Sequence, residues 1–121
     1  PNAVRSTGID PEERTVPDLE DGTRTALADL VAAVEGTVGI VVPVARHAEV
    51  SRWLASWPQY AEQTSGDDAR VVVLTGLETK GLEFDGIVVV RQQEIEDESA
   101  TGRATLYVVL TRATQLLTTI S

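Results

Sequence analysis

The chain contains KGLEFD at residues 80–85 and LYVVLTRA at residues 106–113. KGLEFD lies between two short apolar runs, residues 70–75 and residues 86–90, that are rich in valine, as expected of strands buried on both faces of a parallel sheet. LYVVLTRA is followed directly by a third run, residues 116–120. The two strings therefore predict connections set between buried strands, which is the arrangement of an α/β protein.

Three segments of the chain show the apolar periodicity of a helix. Each carries apolar residues at the spacing of one helical face. Gly36 is expected to supply a left-handed stop for the first of these helices, and Pro58 to end the second. The predicted helices cover residues 23–35, 46–57 and 106–113, and the predicted strands cover residues 38–44, 70–75, 86–90 and 116–120. The order predicts a three-layer α/β sandwich with a mainly parallel sheet of four or more strands.

Three segments are predicted to lie outside this core. Residues 1–22 contain three prolines, two glycines and a cluster of acids, which predicts an extended and poorly packed lead-in. Residues 59–69 are polar and contain Gly-Asp-Asp, and residues 92–102 hold four acids, so both are predicted to be solvated loops. We therefore divide the chain into a lead-in, residues 1–22, and a folded domain, residues 23–121.

The composition excludes several kinds of site. At 121 residues and 42% hydrophobic content the chain is long enough for one domain with a real core. It has no cysteine and one histidine, so disulfides, thiol chemistry and a metal centre are not expected. No run approaches the eighteen apolar residues of a membrane span, and we expect a cytoplasmic protein without membrane partners.

The charge balance is strongly acidic. The net charge of −9 includes nine arginines and one lysine, Lys80. A general nucleic-acid clamp needs a basic face to replace phosphate counterions, so this composition predicts at most a local contact with DNA or RNA.

KGLEFD and LYVVLTRA, in this order, resemble motifs V and VI of superfamily 1 helicases of the UvrD/Rep type. Motif V corresponds to about residues 71–90 and motif VI to about residues 106–116. Within that group the amino-acid sequence of the two motifs is most similar to that of the HelD-type proteins, ATPases that act on bacterial RNA polymerase. The resemblance implies the C-terminal, or second, motor domain of such an enzyme, which has a RecA-like fold. No GxxxxGK[ST] phosphate loop occurs in the chain. We therefore expect ATP and Mg²⁺ to be held mainly by a separate N-terminal motor domain, with no ATPase activity or bound cofactor in this chain alone.

The resemblance assigns roles to the residues around KGLEFD. It places Glu83 and Gly81 at the nucleotide, and Thr75, Gly76 and Lys80 at a bound nucleic-acid strand. The residues themselves are consistent with this, because ligands of open parallel sheets sit at the carboxyl ends of strands and a glycine permits close backbone approach. The alternative is a polar turn with solvated side chains.

Arg112 is the residue to which the resemblance assigns catalysis, as an arginine finger. On a continuous helix it would lie roughly 110° from the centre of the apolar stripe, at the boundary of the buried face. A guanidinium there can grip phosphate oxygens and stabilise the charge that develops on a transferred phosphoryl group. The alternative is an ordinary surface arginine.

Glu78 departs from the helicase pattern, because many members have histidine or serine at that position. A carboxylate beside a strand of phosphates is repulsive, which favours a HelD-like role on RNA polymerase over a UvrD-like helicase that moves on single-stranded DNA. Both remain open, together with a non-catalytic α/β interaction module in which the two strings are coincidental.

Overall fold

The computed structural model describes residues 10–61 and 69–121 of the chain. Within them a five-stranded sheet carries helices on both faces. The strands are β1 (Glu12–Arg14), β2 (Val38–Val42), β3 (Val71–Thr75), β4 (Phe84–Val90) and β5 (Ala113–Ile120). The helices are α1 (Leu19–Ala33), α2 (His47–Ser56), α3 (Pro58–Ala61), α4 (Gln92–Glu96) and α5 (Gly102–Leu110), with single 3₁₀ turns at Val44–Arg46 and Gly76–Thr79.

All strand pairs in the described sheet are parallel, in the order β1-β5-β4-β2-β3. Of the three inner strands, β2 and β4 are apolar and almost wholly buried, as expected where both faces of a parallel sheet are covered. One core lies between the sheet and helices α1 to α3 and the other between the sheet and helices α4 and α5. The predicted three-layer α/β fold is confirmed.

The start of the chain is better packed than predicted. Residues 12–14 form the edge strand β1, which pairs with the end of β5, and the Val16 N–H donates to the Ser121 carbonyl at 2.9 Å. Helix α1 begins at Leu19 because the Asp18 carboxylate accepts hydrogen bonds from two N–H groups of its first turn. The prediction of a poorly packed lead-in is therefore wrong for residues 12–22, since backbone pairing with β5 does not depend on the side chains that suggested a loop. Residues 1–9 lie outside the described part.

The acidic segment after β4 contains helix α4 instead of an open loop. Ile95 is fully buried in the core beneath α5, while the acids of this segment are half-buried or exposed. The buried side chain of Ile95 anchors the segment. The four neighbouring acids made the segment resemble a solvated loop in the sequence. The polar segment after Pro58 begins with the short helix α3, and residues 62–68 lie outside the described part.

The third predicted helix begins earlier and ends earlier than expected. Helix α5 ends at Leu110, and Ala113 is already the first residue of β5. Ala113 is buried in the same core as Leu106 and Val109, so the apolar spacing was real although the helix does not continue through it. Arg112 consequently lies in the turn between α5 and β5, and the angle expected for it on a helix does not apply.

Gly36 does not adopt the left-handed conformation predicted for it, since Gly81 is the one glycine with positive φ among the described residues. A Cβ at Gly36 would lie 2.4 Å from Asp85 Oδ2, so close packing accounts for the glycine. The end of α1 is capped by Arg70, whose guanidinium donates to the carbonyl oxygens of Val31 (2.8 Å), Val34 and Gly36 (3.1 Å).

Candidate functional site

The predicted site residues fall at two opposite edges of the sheet. Glu83 directly precedes β4 and Arg112 directly precedes β5, so both lie at the edge where the strands begin, here called the amino edge. Thr75 is the last residue of β3 and lies at the opposite, carboxyl edge. The seven residues of β4 separate the two edges by about 20 Å at the usual rise of about 3.3 Å per residue. The structure therefore brings Glu83 and Arg112 together and keeps Thr75 apart from them.

The backbone of Arg112 is fixed on both sides. Its N–H donates to the Val109 carbonyl at 3.1 Å, and its carbonyl accepts from the Phe84 N–H at 2.9 Å. The side chain is half-buried, and its Nε is buried without a hydrogen-bond partner in the part of the chain that the structure describes. Thr23 Oγ1 in α1 shares that condition. A buried donor of a charged group that lacks a partner is costly, so the Arg112 side chain is held in this orientation at some cost.

Glu83 is exposed at the same edge, and within the described residues its carboxylate has no hydrogen bond or ion pair. The turn before it depends on Gly81, whose φ is +78°, in the left-handed region that favours glycine. That turn is closed by the Leu82 N–H, which donates to the Thr79 carbonyl at 3.0 Å. Gly81 therefore shapes the approach to Glu83, and Lys80 is exposed in the same connection.

At the carboxyl edge, Thr75 is already engaged within the chain. Its N–H and its hydroxyl both contact Glu78 Oε1, at 2.8 Å and 3.2 Å, in a capping box around the 3₁₀ turn. Gly76 is buried, and a Cβ there would lie 2.6 Å from Thr105 Cγ2, so packing against α5 explains this glycine without a ligand. Leu77 and Val44 are each 62% exposed on the rim of a cavity of about 190 Å³ beside this turn.

An ion-pair cluster also lies at the carboxyl edge. Arg46 donates to both oxygens of Glu94, at 2.8 Å and 3.1 Å, and Arg91 donates to the same carboxylate at 3.0 Å. Arg46 also contacts Glu49 at 3.1 Å. The hydrogen bonds from Arg46, followed by that from Arg91, lower the pKa of Glu94 from its usual value of 4.5 to about 2, although burial opposes the shift. These charged groups neutralise one another, and their contacts link the segment after β2 to the start of α4.

Asp85 and Gln115 are amino-edge residues that the sequence did not single out. Asp85 Oδ2 accepts from the Gly36 N–H at 2.9 Å and from Gln115 Nε2 at 3.3 Å. Gly36 is thus held from one side by Asp85 and from the other by Arg70. The one available sequence signal was Asp85 itself, a carboxylate that immediately precedes a buried valine run.

Comparison with known proteins shows the family of this parallel three-layer domain. The chain belongs to the viral superfamily 1 RNA helicase core domain family, whose model matches residues 32–121. The resemblance to superfamily 1 helicases that rests on residues 80–85 and 106–113 is confirmed at this level. The finer resemblance to HelD-type proteins stays a prediction.

A similar solved structure is the C-terminal domain of a possible DNA helicase from Lactobacillus plantarum WCFS1, with a TM-score of 0.69 and 24% sequence identity. The match covers 98% of this chain and 77% of that one, and at this identity it shows a shared fold. No curated protein matches the sequence significantly. None of the helices in residues 10–61 and 69–121 has the length and apolar character to cross a bilayer.

Proposed function

We propose that this chain is the second motor domain of an ATP-driven superfamily 1 helicase or translocase, and that Arg112 is its arginine finger. The observation that carries the proposal is the place of Arg112 at the amino edge: its backbone is fixed next to the start of β4, and its guanidinium has no hydrogen bond or ion pair among the described residues. Family membership supports the superfamily assignment. It also argues against the alternative in which the two motif-like strings are coincidental.

The chemistry of Arg112 fits a phosphate group. A guanidinium presents planar donors that match phosphate oxygens, and it stays charged throughout a reaction. The Arg112 guanidinium forms no hydrogen bond or ion pair with the described residues, so no such contact has to break before it binds a phosphate. In phosphoryl transfer such a donor stabilises charge that spreads over the transferred group, and so accelerates turnover.

The other nucleotide contacts follow from the same edge. We assign Glu83, exposed and without a described partner, to the ribose or phosphate region of the nucleotide, and Gly81 to the turn that presents it. When bound, ATP with Mg²⁺ supplies the phosphoryl group that is hydrolysed. The phosphate loop and metal ligands would come from a first motor domain, because the sequence contains no GxxxxGK[ST] string.

Thr75, Gly76 and Lys80 are proposed contacts of the translocated polymer. Two observations make these contacts weak. Glu78 occupies both donors of Thr75, and the chain carries a net charge of −9. Strong retention of a nucleic-acid strand would then depend on other parts of the full-length protein.

The same observations favour RNA polymerase over free DNA as the object on which the motor acts, with a UvrD-like DNA helicase as the second candidate. Pull-down of RNA polymerase and binding of single-stranded DNA, both with the full-length protein, separate them. Polymerase capture without tight DNA binding supports the first candidate, and the reverse pattern supports the second.

The test of the arginine finger is ATP turnover by the full-length protein with Arg112→Ala and Arg112→Lys. We expect Arg112→Ala to lower turnover by about a thousandfold, the scale of arginine fingers, with little change in nucleotide affinity. Arg112→Lys should recover little, because an ammonium lacks the planar fork. Turnover of Arg112→Ala within severalfold of wild type would refute the assignment, and thermal melts of both variants exclude unfolding as the cause.

A further inference from the structure

The ladder between β4 and β5 contains a bulge next to Arg112. Phe84 pairs with Ala113 and Gly86 pairs with Leu116, so one residue of β4, Asp85, faces two residues of β5. These two residues are Thr114 and Gln115. Bulges bend the strand that carries the extra residue and redirect the side chains beside it.

Side-chain hydrogen bonds hold this bulge in place. Thr114 Oγ1 donates to the Phe84 carbonyl at 3.3 Å, and Gln115 Nε2 donates to Asp85 Oδ2 at 3.3 Å. The same Asp85 oxygen accepts from the Gly36 N–H at 2.9 Å, which fixes it relative to the loop after α1. Toward the amino edge, only Ala113 separates the bulge from Arg112 along the chain.

We propose that the Asp85–Gln115 pair is a positioning device that sets the direction of Arg112, and that Gln115 is a positioning residue for ATP hydrolysis. The inference rests on the proposed function of Arg112. Gln115 is exposed, so its hydrogen bond adds little to the stability of the fold. Gln115 lies three residues after Arg112 and within the bulge. Its hydrogen bond therefore affects the geometry of the turn that carries Arg112. A misplacement of about 1 Å at a catalytic group can cost about a hundredfold in rate.

The chain offers a matched control at the other edge of the sheet. Gln93 is also an exposed glutamine that donates to a carboxylate, Asp97, at 3.2 Å. The substitutions Gln115→Glu and Gln93→Glu make the same chemical change, since each replaces a donor by a second carboxylate that repels the first. They differ in their distance from Arg112.

The experiment measures ATP turnover, KM for ATP, melting temperature and affinity for ADP with aluminium fluoride in the full-length protein. We expect Gln115→Glu to lower kcat by about tenfold or more and to weaken the aluminium fluoride complex, because both depend on the placement of Arg112. KM and the melting temperature should stay near wild type. Gln93→Glu should stay within about twofold of wild type in every measurement, the scatter expected of an exposed substitution. Gln115→Ala removes the donor without adding a charge and should give a smaller loss of the same kind.

Arg112→Ala, measured in parallel, separates the two proposals. If Arg112→Ala abolishes turnover while Gln115→Glu and Gln115→Ala match Gln93→Glu, the positioning role is wrong and the arginine finger stands. If Arg112→Ala itself retains turnover, the proposed function fails and the positioning role fails with it. In the Arg112→Ala background, Gln115→Glu should cause no further loss, and an additive loss would overturn the proposal because it would place the action of Gln115 elsewhere.

Discussion

The two edges of the sheet use their charged residues differently. At the carboxyl edge the charges are engaged within the chain: Arg46 and Arg91 share Glu94, and Glu78 caps Thr75. At the amino edge Arg112 Nε and the Glu83 carboxylate have no partner in the part of the chain that the structure describes. The carboxyl edge thus holds a self-contained ion cluster, whereas at the amino edge Arg112 and Glu83 stay unpaired although Arg70 and Asp85 nearby are engaged within the chain.

This difference indicates which edge is prepared for an external anion. An arginine that already shares a carboxylate must lose that bond before it can bind phosphate, whereas the Arg112 guanidinium has no such bond among the described residues. Ligands of open parallel sheets usually bind at the carboxyl ends of the strands. The proposed nucleotide-facing groups of this domain lie at the other end, which suits a domain that closes over a nucleotide bound elsewhere.

The largest expected effect concerns the chain in isolation. Purified alone, it should show no ATP hydrolysis above background, because the amino edge offers groups for a phosphate but the sequence contains no phosphate loop to hold one. A phosphate-release assay on material freed of contaminating ATPases checks this. Measurable ATP turnover by the chain itself would contradict this prediction, because it would show that this chain holds a complete ATPase site.

A smaller effect is expected at the carboxyl edge. Glu94→Gln leaves Arg46 and Arg91 without their shared carboxylate, and it should destabilise the domain by about 1 kcal/mol at pH 7 because the pair is partly exposed and screened by solvent. Turnover of the full-length protein should stay near wild type. Urea denaturation and ATPase assays together check this, and loss of turnover at unchanged stability would contradict the comparison of the two edges.

The contribution of Glu94 should also depend on pH. Its pKa in the folded domain is lowered from 4.5 to about 2, so the ion pairs stabilise the fold fully above about pH 4.5 and lose that contribution as the pH falls toward 2. The difference in unfolding free energy between wild type and Glu94→Gln should therefore shrink across this window. A difference that stays constant from pH 7 to pH 3 would exclude ionised Glu94 as its source.

The smallest effect concerns single-stranded DNA. The isolated domain should bind it with a Kd of about 10⁻⁴ M or weaker near physiological salt, because its net charge of −9 opposes counterion release. Glu78→Gln keeps the cap on Thr75 but removes one negative charge, and should tighten binding by no more than about threefold at low salt. Fluorescence anisotropy at two salt concentrations measures the Kd of the wild-type domain and of Glu78→Gln. Micromolar binding that persists at physiological salt would contradict the prediction, because it would require a basic face on the domain.

The sequence determined the class of fold and the motifs. Short continuous valine runs are typical of strands inside a covered parallel sheet, so β2, β3 and β4 were predictable to within about two residues. The strings at residues 80–85 and 106–113 together predicted the superfamily, and with it the proposed role of Arg112. These inferences depend on local periodicity and on short motifs, which a sequence displays directly.

Tertiary structure alone decided where the charged groups go. The helix before Arg112 ends at Leu110 because β5 begins at Ala113 and pairs there with Phe84, a contact between residues far apart in sequence. The bulge that sets Asp85 against Gln115 depends on that same pairing. Whether an arginine is neutralised, as Arg46 is, or left with an unpaired donor, as Arg112 is, depends on which carboxylates the folded chain brings near it. Periodicity cannot supply that information, because every arginine has the same propensity and only three-dimensional contacts distinguish them.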